Sequence, residues 1–192
     1  MGRNIRIWNK DAFYHIVMRG NNRQNIFHDD EDMQFFLRIL QYTYEKYQFT
    51  VVAYCLMSNH YHLLLRSEHV PLGKIMGMIN KRYTDYYKAK YEYSGTLYEG
   101  RYFDDMFKTP RSILNISKYI HQNPINTTIP LVEKMEHYAY SSYHHYYFNK
   151  SADFDFLNLD ILPGLFPDKI QNAREAYCRF CETNKNIILI PH

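Results

Sequence analysis

A β-hairpin is predicted by the run TVVAYCLMSNHYHLLLR. β-Branched and aromatic residues fill two arms, Thr50–Leu56 and His60–Arg66, and Met57-Ser58-Asn59 supplies the turn. Successive side chains of a strand alternate between its faces, so His60 and His62 point to the same side, roughly 6–7 Å apart at Cα. Two imidazoles so placed can bind one divalent cation, although the pair is also compatible with a half-exposed polar strand face.

The same hydrophobic pattern predicts a complete α+β domain around the hairpin. Residues 12–19 alternate as a first strand, in which His15 is interpreted as structural. Apolar residues at helical spacing predict one helix at about 30–48 and a second beginning at Pro71. Residues 96–108 are predicted as a fourth strand. The order β-α-β-β-α-β indicates a ferredoxin-like sandwich with a central antiparallel sheet.

A third helix is predicted between Pro110 and Pro124, because proline is favoured at a helix start and excluded from a helix interior. Its inward stripe contains Ile113, Ile116, Ser117 and Ile120. A separate polar face contains Ser112, Asn115, Tyr119, Gln122 and Asn123. Tyr119 therefore lies outside the predicted core stripe and has Asn123 one turn below it.

The polar face of this helix offers candidates for a third metal ligand. The amide oxygen of Asn123 could complete a site with the two histidines, and Gln122 remains a competitor. His121 points to the opposite side of the helix and is rejected as a ligand. Lys118 and Gln122 are candidates for activating the Tyr119 hydroxyl, whose ordinary pKa is near 10.

Composition and charge define the class of protein. The chain has 192 residues, 46% of them hydrophobic, which suits one ordered domain with a tail. No apolar run has the roughly 18 residues needed to span a bilayer, and no export signal is evident. Three cysteines indicate a reducing, cytoplasmic location. Residues 1–130 hold 17 Lys/Arg against 12 Asp/Glu, a basic balance that permits a polyanionic partner.

Several basic residues are candidates for contacts with nucleic acid. Lys74, Lys81 and Lys88 are spaced by seven on one face of the second helix, among tyrosines that can stack on bases. Arg19 and Arg23 flank the Gly20–Asn22 turn. A solvated helix face and a solvated loop are the respective alternatives. The predicted contact set is Arg19, Arg23, Lys74, Lys81, Arg82, Lys88 and Arg101.

Motifs in a fixed order give the chain a family resemblance. YHIVMRGNNRQNIF, AYCLMSNHYHLLL, GTLYEGRYF, KYIHQNPIN and YSSYHHYY follow one another over residues 13–147. In this order the chain resembles HUH-type single-tyrosine transposases, most closely the REP-associated tyrosine transposases. The combination of H-x-H with Y-I-H-x-N-P about sixty residues later is specific, whereas either half alone is weak.

The resemblance implies a single-strand DNA endonuclease and strand transferase on a ferredoxin-like fold. It implies Tyr119 as nucleophile, and His60, His62 and Asn123 as ligands of Mg²⁺ or Mn²⁺. Tyr119 would form a 5′-phosphotyrosine and release a 3′-hydroxyl, which allows strands to be rejoined without ATP. The partner would be single-stranded or hairpin DNA, and the protein a monomer or homodimer. A domesticated, non-cleaving binder of structured repeat DNA is the alternative function.

Three positions depart from the family pattern. Asn123 stands where mobile relatives usually carry Gln, which favours the REP-associated branch, while Glu99 replaces a common Gln and Ser58 a common Pro. The transposase domain is expected to cover residues 1–147, and residues 148–192 to form a helical extension on or near the core. That extension includes a helix at about 168–183, in which Cys178 and Cys181 share a face and do not form a zinc site.

Overall fold

The computed structural model describes residues 8–166 and 172–183. Its strands are β1 (Phe13–Arg19), β2 (Phe49–Met57), β3 (His60–Ser67) and β4 (Phe103–Phe107). Its α-helices are α1 (Asp30–Tyr47), α2 (Leu72–Lys90), α3 (Pro110–Gln122), α4 (Tyr143–Tyr147), α5 (Ile161–Gly164) and α6 (Ala173–Glu182). Short 3-10 helices cover Asn21–Arg23 and Met135–His137. None of the helices in the described ranges is long and apolar enough to cross a bilayer.

The four strands form one antiparallel sheet in the order β2-β3-β1-β4. This order and the positions of α1 and α2 along the chain are those of a ferredoxin-like fold, which confirms the predicted class. The hairpin of β2 and β3 turns at Ser58 and Asn59, as the sequence indicates. Because β1 and β3 are the two inner strands, residues on them are held by neighbours on both sides.

Helices α1 and α2 cover one face of the sheet. The α1 side chain of Phe36 and the β3 side chain of Tyr61 are fully buried, and their ring centroids lie 4.6 Å apart. Asp29 caps α1 by accepting a hydrogen bond from the backbone N–H of Asp32. Since side chains alternate along β3, the face opposite Tyr61 carries His60 and His62.

Helix α3 and the chain that follows it cover the opposite face and the outer edge of β2. The α3 residues Ile113, Ile116 and Ile120 are buried, as the stripe predicts. Backbone N–H groups of Val51 and Leu56 donate to carbonyls of Phe156 and Tyr140, which closes the free edge of β2. The predicted packing of the segment 137–147 against the sheet is therefore observed.

The fourth strand is shorter than predicted. Only residues Phe103–Phe107 pair with β1, whereas the preceding stretch makes a single bridge, between Tyr98 and Gly20. The side chains of Leu97, Tyr98 and Tyr102 are buried, so this stretch follows the core without the regular alternation of a strand. The predicted C-terminal helix is present over Ala173–Glu182, and the first part of its predicted range lies outside the described residues.

Candidate active site

Two histidines of β3 form the centre of the candidate site. His62 is buried and His60 is half-buried, and their ring centroids lie 4.9 Å apart with the ring planes nearly perpendicular. The strand imposes this proximity, because residues two apart share a face of β3. The position of β3 between β1 and β2 makes the backbone beneath both imidazoles rigid.

Each imidazole engages its Nδ1 atom within the protein. Nδ1 of His60 lies 2.6 Å from Oδ1 of Asn59, and Nδ1 of His62 lies 2.9 Å from Nε2 of His15. Nε2 is therefore the atom through which each ring would bind a cation. Asn59 and His15, which bond to the Nδ1 atoms, stand where metal-binding histidines ordinarily have their outer-shell partners. The described residues contain no group of three or more His, Cys, Asp or Glu that could hold a metal. A divalent cation would here depend on two imidazoles and an amide oxygen.

Helix α3 places Tyr119 against this histidine pair in the same chain. The helix begins where Thr109 accepts a hydrogen bond from the N–H of Ser112 and Pro110 occupies the first turn. Its buried isoleucines fix the rotation of the helix on the sheet, so that Tyr119 projects toward β3. The Tyr119 ring centroid lies 5.7 Å from that of His62, with the rings edge to face at 88°.

Asn123 and Arg19 also lie close to the Tyr119 side chain. Burial raises the pKa of Tyr119, whereas a hydrogen bond with the Asn123 side chain and the positive charge of Arg19 lower it. Nδ2 of Asn123 also donates to the Tyr119 carbonyl at 2.9 Å. Because the amide nitrogen donates to the Tyr119 carbonyl, Oδ1 of Asn123 is the atom suited to a cation. The amide and the phenol thus lie together at the end of α3.

The other α3 candidates face away from the histidine pair. Nε2 of Gln122 donates to the Cys181 carbonyl at 2.7 Å, so Gln122 is not placed to compete with Asn123 as a ligand. Nζ of Lys118 donates to the carbonyl and hydroxyl oxygens of Thr183, which places it away from the Tyr119 hydroxyl. His121 bonds to Ser142 through Nε2. The helical periodicity of α3 does not reveal that the face carrying Lys118, His121 and Gln122 packs against the C-terminal region.

His15, which the sequence analysis interprets as structural, lies beside the histidine pair. It is completely buried on β1, bonds to His62, and has its ring centroid 5.9 Å from that of Tyr119. In the β1–β3 register His15 faces Leu64 and Arg19 faces His60, so these two β1 residues share the face of the histidine pair. The alternation within β1 places His15 and Arg19 on one face of the strand. Which face of the sheet that is becomes known only from the register of β1 against β3.

The Gly20 turn brings Arg19 and Arg23 to the same end of the sheet as His60. The N–H of Gly20 donates to the Asn59 carbonyl, and the Asn59 side chain donates to the Arg23 carbonyl. A Cβ atom at Gly20 would lie 2.2 Å from the backbone oxygen of Gln24, so only glycine fits this turn. Arg23 is exposed, and Arg19 lies 4.0 Å from Glu99.

Three predicted DNA contacts line a groove on the other side of the sheet. The groove has a volume of about 1100 Å³ and lies between α2 and the stretch 95–104. Lys81, Lys88 and Arg101 line it and are exposed, and Lys81 is paired with Asp85 at 2.6 Å. Lys74 is exposed on the first turns of α2. Arg82 does not line the groove, since its guanidinium stacks on the Tyr42 ring of α1 at 3.7 Å.

The C-terminal helix α6 packs on the face of α3 opposite the site. The fully buried Tyr177 bonds through its hydroxyl to Ser117 and to Nδ1 of His121. Cys178 and Cys181 are buried free thiols, and burial raises the pKa of Cys178 to about 11. Such thiols are protonated at neutral pH.

Comparison with known proteins identifies a matching family. The family described as "Transposase IS200 like" matches residues 9–123, which is more than half of the chain. A solved REP-associated tyrosine transposase bound to a REP hairpin is similar in fold, with a TM-score of 0.64 at 14% identity over 87% of this chain and 89% of that chain. A putative transposase from Deinococcus radiodurans R1 aligns with a TM-score of 0.43 at 20% identity, over 63% of this chain and 97% of that one. No curated protein matches the sequence.

Proposed function

The chain belongs to the IS200-like transposase family, and from this premise we propose a metal-dependent endonuclease and strand transferase that acts on single-stranded or hairpin DNA through Tyr119. The observation that supports this most directly is the edge-to-face contact of Tyr119 with His62, at 5.7 Å between ring centroids within one chain. The contact brings the proposed nucleophile of α3 against a proposed metal ligand of β3.

The reaction divides between the residues of β3 and α3. His60, His62 and Asn123 would hold a Mg²⁺ or Mn²⁺ ion, which when bound polarises the scissile phosphate and stabilises its developing charge. The Tyr119 oxygen attacks phosphorus in line and loses its proton, while the bond to the 3′ oxygen breaks and that oxygen takes up a proton. The phosphotyrosine keeps the phosphodiester bond energy, so another 3′-hydroxyl can reverse the step and join two strands.

The surroundings of Tyr119 adjust how readily it ionises. Burial raises the pKa of the phenol and so disfavours the phenolate, whereas the positive charge of Arg19 favours it. Arg19 lies on β1 directly opposite His60, which places a fixed charge at the nucleophile. Lys118 is not a suitable base, because it bonds to Thr183 instead.

The groove between α2 and the stretch 95–104 is the proposed place for the double-stranded part of a hairpin. Asp85, Glu99 and Asp104 line it together with Lys81, Lys88 and Arg101. Its rim residues Lys88 and Arg101 are exposed cations, and phosphate contacts of this kind supply most sequence-independent affinity. The stretch containing Tyr98 and Glu99 bonds to Gly20 and Arg19, so the wall of the groove continues to the turn beside His60. A single strand leaving the groove would therefore pass Arg19 and Arg23 on its way to Tyr119.

We assign residues 1–147 to the transposase domain and residues 148–192 to an extension. The extension bonds to α3 through Tyr177 and the Cys181 carbonyl of α6, and through the carbonyl of Thr183, which follows α6. The extension therefore supports the helix that carries the nucleophile.

The cleavage proposal is tested with Tyr119→Phe. Wild-type protein incubated with labelled hairpin DNA and Mn²⁺ should form a covalent adduct visible on a denaturing gel. Tyr119→Phe should form none while binding the DNA as before, because it loses only the nucleophilic oxygen. The control is Tyr147→Phe, whose 43% exposed side chain lies outside the site. Adduct formation by Tyr119→Phe at the wild-type rate would refute the assignment.

The groove is tested by the salt dependence of DNA binding. Arg101→Gln should reduce the slope of log K against log salt concentration by about 1, because one phosphate contact is lost. Lys46→Gln is the control, since the exposed Lys46 is at the end of α1 and not in the groove. Equal slopes for Arg101→Gln and wild type would exclude this path for DNA. Tight binding without any adduct would instead favour the alternative function, a non-cleaving repeat binder.

A further inference from the structure

A third imidazole supports the candidate metal ligand His62. Nε2 of His15 lies 2.9 Å from Nδ1 of His62, and the two ring planes are inclined by only 12° with centroids 5.1 Å apart. Two nearly coplanar rings joined edge to edge have this geometry, in which the N–H of one points along the in-plane lone pair of the other. The contact is fully enclosed, because His15 is completely buried and His62 is 1% exposed.

The hydrogen bond fixes which ring is the donor once His62 binds a cation. A neutral imidazole carries its proton on one nitrogen only, and metal binding through Nε2 requires that proton on Nδ1. His62 must then donate from Nδ1, and the atom that faces it is Nε2 of His15. His15 therefore has to present a lone pair at Nε2.

From this geometry, and on the basis of the proposed function, we propose that His15 is a positioning residue: it accepts the Nδ1–H of His62 and so directs Nε2 of His62 toward the cation. Partners of metal-binding histidines commonly have this role, although the usual acceptor is a carboxylate or a carbonyl. Here the acceptor is supplied by the adjacent central strand β1.

His15 also packs against the nucleophile. Its ring meets that of Tyr119 edge to face, with centroids 5.9 Å apart at 80°. His15 thereby contacts a residue from each half of the site, the β3 ligand on one side and the α3 phenol on the other. A displacement of the His15 ring would change the position of both.

Two substitutions separate the hydrogen bond from packing. His15→Gln keeps an acceptor oxygen at similar reach, whereas His15→Phe keeps a ring of similar shape and removes the acceptor. Both are made in the Tyr119→Phe background, so that binding is measured without cleavage. The control is His145→Gln, because His145 is also buried but bonds to Ser151 instead.

The measurements are Mn²⁺ affinity, from the electron paramagnetic resonance signal of free Mn²⁺, and the tautomer of His62, from long-range ¹H–¹⁵N spectra at one fixed pH. His15→Phe should weaken Mn²⁺ binding roughly 10- to 100-fold, as loss of such partners ordinarily does, and His15→Gln should restore most of it. The wild-type spectrum should show His62 protonated at Nδ1, and the His15→Phe spectrum a loss of that preference. Thermal melts of each variant verify folding.

Three outcomes would overturn the proposal: His62 protonated at Nε2 in the wild type, unchanged Mn²⁺ affinity in His15→Phe, or no Mn²⁺ binding by the wild type. These readouts are independent of cleavage. If wild-type protein binds Mn²⁺ through a His15-dependent site yet forms no DNA adduct, the role of His15 stands and the nuclease proposal fails. If DNA is cleaved while His15→Phe binds Mn²⁺ normally, the nuclease proposal stands and the proposed role of His15 fails.

Discussion

Substitution of Tyr177 by Phe removes a single oxygen atom at the junction of α6 and α3. That oxygen lies 2.9 Å from Ser117 Oγ and 2.9 Å from His121 Nδ1, in a part of the core that solvent does not reach. The aromatic ring remains, so packing is retained. Ser117 also keeps its hydrogen bond to the Leu114 carbonyl, which leaves Nδ1 of His121 as the atom that loses its partner.

The expected loss of stability follows from these contacts. A buried polar atom left without a partner costs about 1–3 kcal/mol, and we expect about 2 kcal/mol for Tyr177→Phe. For a chain of this size, each kcal/mol lost from the free energy of unfolding lowers Tm by about 2–4 °C. For Tyr177→Phe, Tm should therefore fall by about 4–8 °C. The exposed Tyr147 provides the matched control, for which a change to Phe should alter the free energy of unfolding by less than about 0.5 kcal/mol.

The assay is urea denaturation followed by circular dichroism, combined with thermal melts of both variants. If Tyr177→Phe and Tyr147→Phe unfold at the same urea concentration, α6 does not stabilise α3 through this hydroxyl. The inferred support of the Tyr119 helix by the extension would then be wrong. An unchanged slope of unfolding free energy against urea would show that the native state stays equally compact.

Two further predictions concern buried ionisable groups. Burial lowers the pKa of His121 to about 3 from 6.5, so as pH falls below 6.5 the unfolded chain takes up a proton that the folded chain does not. Stability should therefore fall with decreasing pH between 6 and 4 more steeply in the wild type than in His121→Gln, by about 1.4 kcal/mol per pH unit in urea titrations; parallel profiles would contradict this. Lys90→Met leaves the fully buried Asp32 carboxylate without the ammonium that lies 2.8 Å away, and should cost about 3 kcal/mol in the same assay. Adding Asp32→Asn should recover part of that loss, and simple additivity of the two losses would argue against a coupled pair.

The sequence predicts this fold well because its strongest patterns are local. Alternation in the β2–β3 hairpin and helical spacing in α1, α2 and α3 give elements whose limits agree with the structure within a few residues. The face of α3 that carries Tyr119 is also predictable, since Ile113 and Ile116 fix which side is buried. The roles of Tyr119 and the histidines as nucleophile and ligands remain predictions.

What the sequence cannot supply is the set of contacts between distant elements. The role of His15 depends on the register of β1 against β3, which no local pattern records. Lys118 and Gln122 are polar residues that the helical pattern places in solvent or at the site, yet both are buried under the C-terminal region. The sequence predicts Arg82 as a DNA contact. Its stacking on Tyr42 depends on how α1 packs beside α2, which the sequence pattern does not show.

The contact between Tyr119 and His62 within a single polypeptide has a kinetic consequence. An enzyme whose active site is shared between two subunits loses activity per molecule on dilution, because the active dimer dissociates. A polypeptide that holds both parts of the centre keeps its specific activity at nanomolar concentration. Two inactive variants, one lacking the phenol and one lacking the imidazole, should then fail to rescue each other when mixed.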